Sequence, residues 1–181
     1  MKNSRLSLAG VSTLTLWDQG AIQHFGYSPD IGNNADYLLA RMLAKRNGHL
    51  RDYDVVKNLI VDDGLELVID LLLDLDTGLS YHAVGTDDTT AAIGDTELGA
   101  EHTRRAWAHS SRTSQAGYYS VFYLASEVNI VIEEAGVFGG SGASATADSG
   151  TLFSHYLQSY DNSGGSPLDL TFDWNVEAAR G

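Results

Sequence analysis

From residue 80 to the C-terminus, short runs alternate apolar with polar residues, and clusters of Gly, Ser and Asp separate the runs. They are Ser80 to Val84, Arg104 to Ser111, Tyr118 to Leu124, Val128 to Glu133, Thr151 to Leu157 and Leu168 to Glu177. Successive side chains of a strand point to opposite faces, so such a run buries one face and wets the other. Several at close spacing predict an all-β sandwich or barrel, here of the Ig-like or jelly-roll kind. The last run is the cleanest: Leu168, Leu170, Phe172, Trp174 and Val176 point one way, and Asp169, Thr171, Asp173, Asn175 and Glu177 the other. Residues 139–150, mostly Gly, Ser and Ala, are too small to build a core and read as an exposed loop or one ordered by a neighbour.

The N-terminal part reads differently. Val11, Thr13, Thr15 and Trp17 alternate with Ser12, Leu14, Leu16 and Asp18. Gln19-Gly20 then interrupts before Ala21 to Phe25, which predicts a β-hairpin ended by Pro29-Asp30. Asn33 to Asp36 offer a helix cap, Tyr37 to Arg46 are strong helix formers, and Asn47-Gly48 closes them. Tyr37, Leu38, Leu39, Met42 and Leu43 form its apolar stripe. A second helix is expected from Asp62 or Asp63 to about Leu73, its early acids matching the positive end of the helix dipole. Leu65, Val68, Ile69, Leu72 and Leu73 have the helical spacing that would turn one face into the core. The expected organisation is a hairpin-and-helix arm over residues 1–57 and a β-sandwich over 58–181, flanked by one or two helices.

Charge is segregated. Arg41, Lys45, Arg46, Arg51 and Lys57 crowd one window, whereas residues 58–103 hold eleven acids and no Lys or Arg. The whole chain of 181 residues carries a formal charge of −13, which opposes unspecific attraction to nucleic acid or anionic lipid. With no Cys there is no disulfide and no thiolate metal site. The apolar stretch from Leu65 to Leu75 is interrupted by Glu66, Asp70 and Asp74 and is far shorter than the about 20 residues of a bilayer span. The N-terminus lacks the apolar core of a secretory leader, and a soluble chain is expected.

Chemistry-bearing motifs are absent. His24, His49, His82, His102, His109 and His155 include no i,i+4 pair and read as structural or surface residues. Asp74 to Gly78 begins like a calcium loop, but its glycine comes one place early and Gly85 closes it where a bidentate carboxylate is required. Asp87, Asp88, Asp95, Glu97 and Glu101 read as solvated loop acids. Gly140-Ser141-Gly142 is no nucleophile elbow, and residues 136–142 lack the Lys-Ser/Thr ending of a phosphate loop. Neither an enzyme nor a cofactor is expected.

The run Asn58 to Leu65 followed by Ala83-Val84-Gly85-Thr86 resembles a family of small virion structural proteins of tailed bacteriophages, of tail, tail-fibre or head-decoration type. The likeness continues through Asp95-Thr96-Glu97-Leu98-Gly99-Ala100-Glu101 with Arg104, through Glu133-Glu134-Ala135-Gly136-Val137-Phe138 and Leu152-Phe153, and into the strand holding Trp174. Gly85, Thr86, Asp95, Thr96, Leu98, Glu101, Arg104, Glu134, Gly136, Phe138 and Trp174 then read as fold determinants: Asp95-Thr96 and Glu101 folding a loop, Glu101 pairing with Arg104, Gly136 sitting where a side chain would clash. The resemblance implies a non-enzymatic virion protein, a homo-oligomer assembling with other virion proteins at the tail or tail fibre. Head decoration is the alternative. The basic helix departs from the family's usual linker, and Arg41, Lys45, Arg46 and Arg51 become candidates for docking on an acidic neighbour. A second alternative is a host-surface glycan module using Tyr118, Tyr119, Tyr123, Tyr156 and Tyr160.

Overall fold

The structure is a computed structural model that describes residues 6–27 and 34–180. Along the chain lie β1 (Leu6–Trp17), α1 (Ala21–His24), α2 (Asn34–Arg46), β2 (Leu50–Ile60), α3 (Asp62–Leu72), β3 (Leu79–Gly85), β4 (Glu101–Ala106), β5 (His109–Thr113), β6 (Ala116–Tyr123), β7 (Val131–Gly139), β8 (Thr151–Asp161) and β9 (Asp169–Arg180). The fold is mainly β, as the alternation requires. Among the described residues, nine strands form one antiparallel sheet in the order β4-β3-β7-β8-β2-β1-β9-β6-β5.

The sheet curls until its outermost strands approach each other. β4 and β5 occupy opposite edges, yet only Trp107 and Ala108 join them. Consecutive Cα atoms are about 3.8 Å apart, so the steps from Ala106 to His109 hold the two edges within roughly 11 Å. The expected single strand from Arg104 to Ser111 is therefore two strands with a corner at Trp107, whose ring lies 5.0 Å from that of Tyr119. β2 turns the other corner: it pairs with β1 from Leu50 to Asn58, and Leu59 and Ile60 pair with β8. β2 was not legible as a strand, and the division expected after residue 57 falls inside it.

The curl encloses the main core, where Leu14, Val84, Val121, Val137, Phe172 and Trp174 meet. A second cluster lies on the outer face of the β1/β9/β6 half, where α1 and α2 cover Trp17 and Phe122. A third, containing Ala83, Leu98, Phe138 and Leu152, lies outside the β3/β7/β8 half. β9 accordingly has two buried faces at its start. Asp169 and Thr171, expected in water, are 1% and 0% exposed. Their polar groups are satisfied: Asp169 accepts from the N–H groups of Ala125 at 2.7 Å and Gly20 at 2.8 Å, and Thr171 accepts from the Trp17 indole at 2.9 Å.

The N-terminal hairpin does not form. β1 pairs along its whole length with β9, and Ala21 to His24 are helical. Gly20, with φ at +74°, supplies the left-handed residue that turns the chain into α1. Pro29, Asp30 and Asn33 lie outside the described residues. α2 closes where Asn47-Gly48 predicts: the Gly48 N–H bonds Lys45 at 3.3 Å and the His49 N–H bonds Ala44 at 3.0 Å.

Both helices turn most of their expected stripe outward, although Tyr37 of the α2 stripe is buried and Val68 of the α3 stripe packs against the main core. α2 buries Tyr37, Ala40 and Ala44, while Leu38, Leu39 and Met42 stand outward. α3 buries Gly64 and Leu67 and exposes Leu65, Ile69, Leu72 and Leu73. Close approach decides the orientation of α3. The β7–β8 register slips at Phe153, whose carbonyl accepts the Val61 N–H at 3.2 Å. A Cβ on Gly64 would lie 2.1 Å from that same oxygen, so only glycine lets the helix sit there. No described helix is long and apolar enough to cross a membrane.

Candidate functional site

On the outer face of the β3/β7/β8 half, the loop of residues 86–100 folds over the sheet and is held by one carboxylate. β7 alternation from the inward Ala135 and Val137 puts Glu134 on this face, and the register shift between Ile132 and Glu134 returns Ile132 to the main core. Glu134 Oε1 accepts the Ala100 N–H at 2.7 Å, and Oε2 accepts the Gly99 N–H at 2.9 Å. Gly85, opposite it on β3, leaves the room: a Cβ there would lie 2.3 Å from Glu134 Oε1 and 2.6 Å from the Ala100 carbonyl. Thr86 continues the staple, its N–H bonding the Ala100 carbonyl at 3.1 Å, with its side chain exposed. Leu98 tucks beneath the loop over Gly136, where a Cβ would come 2.9 Å from the Leu98 side chain.

His155 of β8 completes the hub. Its Nε2 lies 3.0 Å from Glu134 and its Nδ1 2.6 Å from Asp95, which also accepts the Ala92 N–H at 2.8 Å. Burial by itself lowers the His155 pKa, but the hydrogen bonds to Glu134 and Asp95 outweigh it and hold the pKa above the ordinary histidine value. Burial likewise pushes Glu134 upward, and the bonds from His155, Ala100 and Gly99 bring it below the usual carboxylate value. Asp95 follows the same balance, with Ala92 and His155 lowering it against burial. Both His155 nitrogens thus lie at hydrogen-bond distance from a carboxylate, an arrangement that favours the imidazolium, which can donate at each. Neither nitrogen is left to take a proton from a substrate or to ligate a metal.

Beside this hub, Arg104 is saturated as well. Its Nε and Nη2 donate to Glu101 at 2.6 and 2.5 Å, and its Nη1 donates to the Ser149 carbonyl at 2.7 Å. Its guanidinium lies 4.1 Å over the Phe138 ring. Both side chains of the Arg104–Glu101 pair are 1% exposed, and such burial is tolerated only when every donor finds a partner. Residues 139–150 are ordered through Arg104 and through Asp76, which accepts the Ser141 N–H at 2.5 Å. The fold thus gathers Gly85, Leu98, Glu101, Arg104, Glu134, Gly136 and Phe138 around one loop. Trp174 lies apart in the main core, its ring 5.7 Å from that of Phe153. Thr96 is exposed at the rim of an acidic cleft of about 330 Å³ that Asp87, Asp95, Glu97, Glu134 and His155 also line. His155 was not singled out in the sequence, because the carboxylates that hold it are 60 and 21 positions away.

The other buried histidine works in the opposite sense. Inside the curl, Tyr123 donates to the His82 carbonyl at 2.6 Å, so its oxygen accepts from His82 Nδ1 at 3.0 Å. Tyr156 then donates to His82 Nε2 at 2.7 Å and accepts from Ser12 at 2.9 Å. This chain of donors requires a neutral ring, and burial lowers the His82 pKa to about 3. Tyr123 and Tyr156 are 0% and 2% exposed, so they offer no face to a glycan. Tyr119 packs between Trp107 and Trp174, and Tyr160 lies against Tyr53, leaving Tyr118 outward.

The candidate docking cations divide. Arg41 is built into the fold, paired with Asp173 and donating to Ser120 at 3.4 Å. Lys45, Arg46 and Arg51 are exposed, the first two at the end of α2 and the third on β2. Among the described residues, no group of three or more His, Cys, Asp or Glu has an arrangement that could hold a metal ion. No family model matches the chain, and no curated protein or solved structure matches it.

Proposed function

We propose that this chain is a non-enzymatic structural protein of a tailed-bacteriophage virion, assembling in many copies as a tail or tail-fibre attachment component. One observation carries the reading: α2 and α3 both turn much of their apolar surface to solvent, on a molecule that has a buried core of its own. A monomer rarely leaves such patches unless something covers them. The residues that carry the virion-protein resemblance support it from another side. Their polar groups hold the chain's own loops, as a rigid platform requires. In this reading the two facing halves of the curl are the layers of an Ig-like or jelly-roll sandwich, with β2 crossing between them.

Antibody-gold labelling of intact particles tests it. Label on the tail in several copies per particle is the expected result. A chain absent from every particle, or one that clears host cell walls when purified, overturns it.

A further inference from the structure

We propose that the apolar, acidic face of α3 is a docking surface for α2 of a second copy of this chain, the two helices antiparallel, so that copies join head to tail. Along one side of α3 and at its C-cap, apolar side chains stand in solvent: Leu65 is 48% exposed, Ile69 55%, Leu72 74% and Leu73 62%. Asp62 and Glu66, both exposed, share this side of the helix. A helix that is apolar around most of its circumference belongs in an interior, and α3 has an interior on one side only.

α2 carries the complement. Leu38, Leu39 and Met42 are 45%, 52% and 60% exposed, and Arg46 follows Met42 by one helical turn on the same side. Order along the axis fixes the fit. From its N-terminus, α2 presents Leu38, Leu39 and Met42 and then Arg46. From its C-terminus, α3 presents Leu73, Leu72 and Ile69 and then Glu66 and Asp62. One antiparallel register therefore lays apolar on apolar and carboxylate on guanidinium.

Like helices cannot achieve this. Two α3 helices in parallel oppose acid to acid, and antiparallel they press Glu66 of each onto the leucines of the other, where a carboxylate loses water without gaining a partner. Residues 62–76 hold six acids and no base, so nothing nearby relieves that repulsion. α2 lies over the β9/β6 half through Arg41, and α3 lies against β8 through Gly64. The two surfaces thus belong to different halves of the molecule, and a contact between unlike surfaces generates a ring or an open filament.

The inference rests on the reading of the chain as an assembling protein and names the contact, but it is testable without a particle. Sedimentation velocity on the purified full chain is expected to show a mass that rises with concentration beyond two copies. Leu72→Asp on α3 and Met42→Asp on α2 should each weaken association by about a hundredfold, as a charge placed in the centre of an apolar contact does. Near-ultraviolet circular dichroism checks that both variants keep the native fold. An equimolar mixture of the two variants should then form a dimer and stop there, because one intact α3 and one intact α2 remain to meet. The charge pair gives a finer test: Arg46→Glu and Glu66→Lys should each weaken association, and mixing the two variants should restore a contact. A wild-type chain that stays single, a variant mixture that stays single while the wild type associates, or variants that associate like the wild type would each overturn the proposal. So would binding of the wild type to phosphatidylcholine vesicles through Leu72 in place of self-association. Particle labelling is read independently: a chain that enters particles without binding itself loses this contact and keeps the virion reading.

Discussion

β9 and α3 each carry an apolar stripe, and the two stripes end in opposite places. Leu170, Phe172 and Trp174 of β9 are buried in the curl, whereas Leu65, Ile69, Leu72 and Leu73 of α3 face solvent. A strand has two faces, and pairing with a neighbour on each side fixes which one points inward. β9 is paired with β1 along its whole length and with β6 along most of it, so its register admits no rotation. A helix can turn about its axis. What orients α3 is the closest approach its backbone can make, and that lies at Gly64 against the Phe153 carbonyl. α2 repeats the lesson with Ala40 and Ala44 beneath it and Met42 outside. Small residues, more than large ones, chose which helix face is inside.

The largest test of this contrast lies in the strand. Phe172→Ala should lower the unfolding free energy by about 4 kcal/mol in urea titrations, since a fully buried aromatic ring leaves a cavity. A loss no larger than that of an exposed residue would mean that β9 does not hold the core.

The two buried histidines sharpen the comparison between the inside of the curl and its outer face. His82, lowered to about 3 from 6.5, stabilises the fold fully above pH 6.5. That contribution is lost as the pH falls from there toward its folded value, with a limiting slope of about 1.4 kcal/mol per pH unit. His155, whose pKa is raised, contributes fully below pH 6.5 and loses its contribution as the pH rises through its folded value. His82→Phe should flatten the acid limb of a stability-versus-pH curve, and His155→Gln the limb above pH 6.5. Identical curves for the two variants would show that the two sites do not differ as described.

Smaller effects divide the two faces of α3. Gly64→Ala should lower stability by about 2 kcal/mol, the cost of forcing a methyl group against a backbone oxygen. Leu72→Ser should change monomer stability by less than about 0.5 kcal/mol, as for other surface positions. A large loss for Leu72→Ser with none for Gly64→Ala would mean the helix sits the other way round.

After residue 80, β3, β6, β8 and β9 were legible as short period-two runs and lie close to where the alternation puts them, whereas β4 and β5 read as one run and β7, expected at Val128 to Glu133, lies at Val131–Gly139. β2 was not, because both its faces mix charge and apolar residues: it is an interior strand that changes partners at Asn58 and spends no length facing one uniform environment. Ala21 to Phe25 resembled the return arm of a hairpin because five residues are too few to separate helix from strand by period. Of the outer hub, Glu101 with Arg104 was legible as a local pair three positions apart. Glu134 was singled out without its partners, and His155 not at all, since three separate strands and a loop must meet before the carboxylates have a histidine between them.

By itself the amino-acid sequence determined that the chain is mainly β, where its two longer helices lie, and that acid and base are segregated along it, because alternation, capping and charge are local properties. Tertiary structure alone decided that the sheet curls until its edges approach, that burial lowers the pKa of His82 while two carboxylates raise that of His155, and that both helices turn most of their leucines outward. Each of these depends on which groups come within a few ångströms across long stretches of chain, and contact at that range is set by packing rather than by neighbours in sequence.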